Sequence, residues 1–557
     1  MNMKPLFGLN GLLAQVSQGT GFMLSPVDIA IILLAIGGVI TVGLWASRKV
    51  EKTTKSYFLA SGKMPWWLVG AAFVSTSVSS EQIVGTIGAA YENGMGIANW
   101  EWFALPVYTL VIVFFIPIYL KNQITTIPEF LRRRFGDFCG NAYSWIMLFA
   151  YVFVFLVPVL YSGSLAIHRL TSWNFYLVLW CMAGIVGIYT IKGGLGSIMW
   201  TDAVQCAMLV GGGVLLFFLA LSQIPGGWQA MEQANPQRFH LYLPPGDPKA
   251  PFAGLICATF GVFLFYQCSN QVMVQRVLSS RSTWDGMMGI IFAGFINLAR
   301  PLVTCFLGFI VYHWIHNMKM DAPLENLDHT FPYALTHFAP AWGLRGIVLA
   351  GFLAAVMSTI SALANSTATI FSLDVYKKLI NQEASEARIV WVGRITAGTA
   401  LVVACLAAPF VERLGGVFTY FQTGVTYVAT PFISVLLLGI FWKRTNYAGA
   451  IFGILGGIFI QAVFAISFPL LYKYGVLPFE LHWLYVAFIA QVIIMIGIVI
   501  VSLMTAPPAE EKWKPIVWTP QLLSQYGQGK KTPWYKTLRL WYAIYAVIWF
   551  YLYIRFW

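Results

Sequence analysis

Charge is what this chain most lacks. Only 10% of its 557 residues are Asp, Glu, Lys or Arg, while 59% are hydrophobic. With a mean hydropathy of +0.72 it cannot clothe a soluble surface, and it falls among integral membrane proteins. Acid is scarcer than base, 21 residues against 34, leaving a net charge of +13. No basic soluble module gathers that excess, so nucleic acid is not an expected partner. Loops facing an anionic leaflet fit it better, and no obligate protein partner is evident. Cys139, Cys181, Cys206, Cys257, Cys268, Cys305 and Cys405 are scattered without a CxxC pair, so disulfide and zinc frameworks are not expected. Histidines show no ligand spacing. Nucleophile elbows and paired catalytic carboxylates are missing, so an enzyme is not expected. Residues 1–25 lack a charged n-region followed by an apolar core, which argues against a cleavable signal peptide.

Long apolar runs are what the chain has. They predict an all-α membrane protein of about fourteen spans, each near the 20 residues a bilayer needs. The expected spans are 26–47, 65–90, 98–120, 139–167, 174–191, 198–222, 252–273, 286–314, 344–376, 390–410, 415–441, 446–470, 481–504 and 534–556. Runs this long and apolar cannot be barrel strands. Aromatic residues make up 16% of the chain, including 22 Trp, which suits interfacial belts.

Basic residues then set the orientation. Arg48, Lys121, the run Arg132–Arg134, Lys192, Arg276, Arg281, Lys377, Lys443 and Lys512 all fall on one side of that alternation. This side is expected to be cytoplasmic, with both termini outside. Segments 223–251 and 315–343 become outer loops with room for short helices, and 505–533 a cytoplasmic linker. The expected location is the plasma (inner) membrane.

Four polar features interrupt the hydrocarbon. The run Ser75-Thr76-Ser77-Val78-Ser79-Ser80-Glu81-Gln82 lies in the middle of the second span. Ser and Thr bond to backbone carbonyls and bend helices. A helix opened there presents carbonyls and hydroxyls, the ligands a small hard cation takes. A polar helix packed in a bundle gives the same pattern. Glu101 lies between Trp100 and Trp102, an arrangement that suits a sugar or polyol, with rings on its apolar face and the acid on its hydroxyls. It equally suits an interfacial acid among belt residues. Ala355, Ser358 and Thr359 share one helical face at i, i+3 and i+4. Paired with an opened second span, they complete a cation site of about five oxygens. Asp202 follows the Gly-rich turn Gly193-Gly194-Leu195-Gly196, where it serves a second ion or caps a helix. Arg300, three residues after Asn297, needs a carboxylate partner, a watery cavity or an anionic substrate.

Several motifs occur in a familiar order. They include Trp66-Trp67-Leu68-Val69-Gly70, Ser79-Ser80-Glu81-Gln82-Ile83-Val84-Gly85, Trp100-Glu101-Trp102 and Thr126-Ile127-Pro128-Glu129-Phe130-Leu131. Asn270-Gln271, Gln275-Arg276, Asn365-Ser366-Thr367-Ala368-Thr369 and Phe441-Trp442-Lys443 follow. Together they resemble the sodium/solute symporter family, nearest its sodium–glucose and galactose cotransporters. The resemblance implies a LeuT-like core of two inverted five-helix repeats, 64–222 and 252–441. Residues 1–50 precede it and helices within 446–557 follow. The first helix of each repeat is then interrupted at mid-membrane.

The resemblance also implies roles. Sodium would be held by the carbonyls of Ser75, Val78 and Ala355 and the hydroxyls of Ser358 and Thr359, with Asp202 linked to a second sodium. Ser77, Gln82, Glu101, Asn297, Gln422 and Tyr266 would line the substrate pocket. Trp100 and Phe418 would form the outer gate and Tyr266 the inner one. Asn297 stands where the family has a sugar-contacting Lys, Ser77 and Phe263 where it has Asn, and Ala104 where it has Ser. The ion site is kept while half the sugar contacts change. The implied function is sodium-coupled symport of a neutral sugar or polyol. One alternative is symport of an anionic sugar acid or other small organic solute with Arg300 as counter-charge. Another, from a different class, is a membrane sensor or receptor.

Overall fold

The computed structural model describes residues 24–48, 50–51, 53–324, 326–340, 342–414, 417–524 and 533–557, leaving aside the side chains of Glu81, 412–423 and Ser524. It is helical almost throughout. Nine described helical stretches are long and apolar enough to cross a membrane, or ten if one bent pair counts as a single span.

The layering follows burial. Leu344–Ile380 is the central element, with 89% of its most apolar window buried, whereas Pro26–Ser47 has 22% and lies at the periphery. The central helix packs along Phe175–Ser222, which also carries Pro26–Ser47 on its flank. Trp66–Ser77 packs on Thr283–Ala299. That contact depends on glycine: a Cβ on Gly70 would stand 2.5 Å from the Gly289 carbonyl oxygen. The Trp66 amide donates to Asp285 Oδ1 at 3.1 Å, so an acid from another helix caps this one.

Helix interruptions separate the observed elements from the expected spans. The second span is two helices, Trp66–Ser77 and Ser80–Asn93, parted at Val78 and Ser79. The seventh bends by 48° between Phe260 and Val262, then breaks at Asn270 before Gln271–Leu278. The eighth, expected as one run, stops at Ala299 and resumes as Pro301–Thr304 and Phe306–Tyr312. Pro301 has no amide hydrogen to continue the ladder, so the helix yields there. The fifth and sixth spans instead join into one 48-residue run, Phe175–Ser222, kinked at Gly194. Gly194 has φ +55°, and a Cβ there would lie 2.4 Å from the Tyr57 carbonyl oxygen, so the kink requires glycine.

Segments between spans carry short helices: Gly227–Ala234 in 223–251, Thr330–Phe338 in 315–343 and Glu510–Trp513 in 505–533. The last helix, Leu538–Arg555, docks onto the third span. There the Tyr553 hydroxyl bonds to Asn99 Oδ1 at 2.6 Å, and Trp549 donates its indole to the Trp102 carbonyl at 2.6 Å.

Candidate functional site

The Trp66–Ser77 helix ends where Val78 turns extended, at φ −110° and ψ 120°. An ended helix leaves its last four carbonyls, here those of residues 74–77, without intrahelical donors. It also directs the negative end of its dipole at the break. Ser77 Oγ donates back to the Val74 carbonyl at 2.8 Å. The Thr359 hydroxyl approaches the next oxygens: the Thr76 carbonyl at 3.3 Å, that of Val78 at 3.1 Å and that of Ala355 at 3.2 Å. One hydroxyl proton can serve one acceptor at a time. Among the described residues, that one hydroxyl is shared between the Thr76 and Val78 carbonyls at the break, with the helical Ala355 carbonyl beside them, an oxygen cluster that suits a cation.

Three of the five expected ion ligands, Val78, Ala355 and Thr359, thus come together. Thr76 joins them, a residue that sequence reasoning passed over. Ser75 is fully buried beside them, and its hydroxyl has no partner among the described residues. The Ser358 hydroxyl instead donates to Asp202 Oδ1 at 2.7 Å.

Asp202 is no helix cap. It lies within the Phe175–Ser222 run, fully buried, and its Oδ2 is 2.9 Å from Arg276 Nη2. Thr76 Oγ1 donates to the same oxygen at 3.4 Å. Arg276, expected among the loop cations, is 1% exposed. The break at Asn270 turns the short Gln271–Leu278 helix into the core, where the guanidinium also donates to the Ala72 carbonyl at 3.2 Å. A buried pair of this kind is justified only when its remaining donors are also satisfied.

Beside the break lies a cavity of about 350 Å³, near the lower end for small-molecule sites. It is lined by Ser77, Gln82, Trp100, Glu101, Tyr266, Asn297 and Arg300, and by Thr76 and Thr359 of the oxygen nest. The oxygen nest and the expected substrate contacts therefore line one cavity. Glu101 and Arg300 form a buried ion pair. Gln82 Nε2 and Thr304 Oγ1 donate to Glu101 Oε1 at 3.1 and 3.3 Å. Arg300 Nη1 donates to Ser77 Oγ and Asn297 Oδ1, both at 3.0 Å, and Asn297 Nδ2 donates to the Tyr108 hydroxyl at 2.8 Å. Glu101 is thus a buried member of a polar network, not an interfacial acid among belt residues.

Trp100 packs edge-on to Phe263, with centroids 5.5 Å apart, and stacks on Trp483 at 6.2 Å. Tyr266 meets Phe155 edge-on at 5.9 Å. Sequence reasoning missed Tyr108, Arg276 and Trp483; for Trp483 only its place at the start of an apolar span was available. Phe418 and Gln422 lie outside the described residues as far as their side chains go.

Residues 57–457 match the model of the "Sodium:solute symporter family". The chain is 36% identical over 501 residues to "Sodium/glucose cotransporter" from Vibrio parahaemolyticus, covering 85% of this chain and 90% of that protein. It is 28% identical to "Sodium/glucose cotransporter 4" of Mus musculus, over 95% of this chain and 83% of that protein. It is 29% identical to "Sodium/myo-inositol cotransporter 2" of Homo sapiens, over 89% and 79%. The fold is similar to that of a Na+-coupled sialic acid symporter solved in a substrate-bound outward-open state. The TM-score is 0.75 at 22% identity, over 87% of this chain and 99% of that one.

Proposed function

This chain belongs to the sodium:solute symporter family, membrane carriers rather than enzymes, with sodium as the coupling ion; from that premise we propose that its cargo is a neutral sugar or polyol. The observation that carries this reading is the closed ion pair of Glu101 and Arg300 at the cavity. Its partners Ser77, Gln82 and Asn297 supply amides and hydroxyls for a polyhydroxylated solute, and Trp100 and Tyr266 supply apolar faces. The names of the glucose and myo-inositol relatives point the same way. An anionic solute would need Arg300 to exchange Glu101 for the cargo, which favours the neutral reading.

In this reading the Ser75, Val78 and Ala355 carbonyls and the Ser358 and Thr359 hydroxyls hold sodium, with Thr76 beside them. Sodium bridges the broken second span and the central helix, and so shapes the wall that the solute meets. Each ligand then strengthens the other's binding by the same factor. Trp100 and Phe418 act as the outer gate and Tyr266 as the inner one. A second sodium at Asp202 requires Arg276 to withdraw. Two inverted repeats, 64–222 and 252–441, are supported by breaks at Val78 and Asn270 in the first helix of each half. In this reading the carrier sits in the plasma membrane, and the basic loops support an orientation with both termini outside.

The test is uptake into proteoliposomes of purified protein, with labelled hexoses, polyols and sugar acids, with and without a sodium gradient. A neutral hexose or polyol is expected to accumulate only with sodium and to resist competition by its uronic acid. Preferential uptake of the acid, lost in Arg300→Gln, would overturn the neutral reading.

A further inference from the structure

A second cavity, of about 590 Å³, shares no lining residue with the first and lies between the first part of Phe175–Ser222 and Glu386–Ala407. Its lining includes Gly184, Gly187 and Gly398, with Trp180 towards one end and Lys192 and Arg394 at the other. A Cβ on Gly184 would meet nothing within 4 Å, while those on Gly187 and Gly398 would touch only the tips of Ile191 and Leu401 at 3.4–3.6 Å, so the groove is open at Gly184 and floored by these two side chains. The neighbouring Ile188 and Val402 are exposed, as on a surface bathed in lipid.

Charge is concentrated at one end. Arg394 Nη2 donates to the Lys192 carbonyl at 3.2 Å, which ties the two helices together there. The guanidinium also stands over the Tyr57 ring, 5.6 Å from its centroid, while Arg394 Nε is buried with no partner among the described residues. No carboxylate pairs with Lys192 or Arg394 among the described residues. Two cations closing an apolar groove call for an anion attached to a hydrocarbon tail. Length agrees: Trp180 and Lys192 are twelve residues apart on a helix, about 18 Å. One leaflet of a ~30 Å hydrocarbon core is about 15 Å deep. Lys192 and Arg394 also lie on the side that the basic loops mark as cytoplasmic, where anionic lipids concentrate.

We propose that this groove seats one anionic phospholipid, with an acyl chain along Gly184, Gly187 and Gly398 and its phosphate held by Lys192 and Arg394. The site bridges a helix from each half of the chain. Its occupant is structural lipid, separate from the transported solute.

The experiment is thermal unfolding of the purified full-length protein in detergent, with added phosphatidylglycerol, phosphatidylcholine or inorganic phosphate. Phosphatidylglycerol is expected to raise the unfolding temperature, and the other two are not. Lys192→Gln and Arg394→Gln should each weaken the apparent phosphatidylglycerol affinity about fivefold, the usual worth of one basic residue at an anionic surface. Gly184→Leu projects into open space, so it should fold normally and abolish the effect by filling the groove. Equal stabilisation by phosphatidylcholine, stabilisation by phosphate alone, or full lipid response in all three variants would overturn the proposal. So would a dimer in detergent that Gly184→Leu dissociates, because a second copy would then be the occupant.

Discussion

At Val78 the chain leaves a helix and its freed carbonyls crowd around a single hydroxyl, that of Thr359. At Asn270 it leaves another, and tyrosines meet it. Tyr119 donates to the Cys268 carbonyl at 2.7 Å, Tyr143 to that of Ser269 at 2.5 Å and Tyr151 to Asn270 Oδ1 at 2.7 Å. The Gln271 amide returns to the Tyr151 hydroxyl at 2.8 Å. Both breaks expose backbone inside a membrane protein, where every polar group needs a partner. The second is closed by fixed donors and acceptors. At the first, among the described residues, the Thr359 hydroxyl is shared between the Thr76 and Val78 carbonyls, a place where a mobile cation can add to it. Helix interruption alone therefore does not single out the proposed ion site; the balance of donors and acceptors around the break is what distinguishes it.

Five changes test that contrast. Asp202→Asn should have the largest effect, because it leaves Arg276 charged, buried and unpaired behind the first break. A loss of about 3–5 kcal/mol in stability is expected, read as thermal unfolding in detergent. Near-normal stability would mean that the pair does not anchor this region. Tyr151→Phe removes a donor and an acceptor at the second break and should cost about 1–3 kcal/mol. Its sodium dependence of uptake should nevertheless stay as in the wild type; a sodium shift here would dissolve the distinction between the two breaks. Thr359→Val keeps the shape but removes the shared hydroxyl. The sodium concentration for half-maximal uptake should rise about tenfold or more, since one oxygen on a charged partner is worth roughly 1.5–3 kcal/mol. Ser358→Ala with Thr359→Ala should raise it further. Ser77→Ala should do least, about 1.5 kcal/mol, the low end for a bond to a charged group, because Arg300 keeps Asn297 and Glu101. A raised solute KM with unchanged sodium affinity is the expected pattern.

The first break was legible because seven of the eight residues from Ser75 to Gln82 contradict their hydrocarbon surroundings. The face of Ala355, Ser358 and Thr359 was legible because helical periodicity is local. The Asp202–Arg276 pair was not, because the partners lie 74 residues apart and Arg276 follows an apolar run, where any basic residue reads as a loop anchor. Only the turn at Asn270 puts it inside. Thr76 was passed over because a carbonyl's availability depends on which residue ends the helix, and sequence places helix ends poorly. The stack of Trp483 on Trp100 joins distant spans, and nothing in either segment announces it. The kink at Gly194 hid for the opposite reason, since a Gly-rich stretch reads as a loop even where helix continues on both sides.

The two buried ion pairs have an electrical consequence. Glu101 is cancelled by Arg300 and Asp202 by Arg276, so neither centre brings net charge to the transport path. With a neutral cargo, the charge that crosses the membrane field with the solute is then that of sodium. Each 100 mV of membrane voltage contributes about 2.3 kcal/mol per sodium carried inward. That alone supports a roughly fortyfold solute concentration ratio, before any sodium gradient is counted.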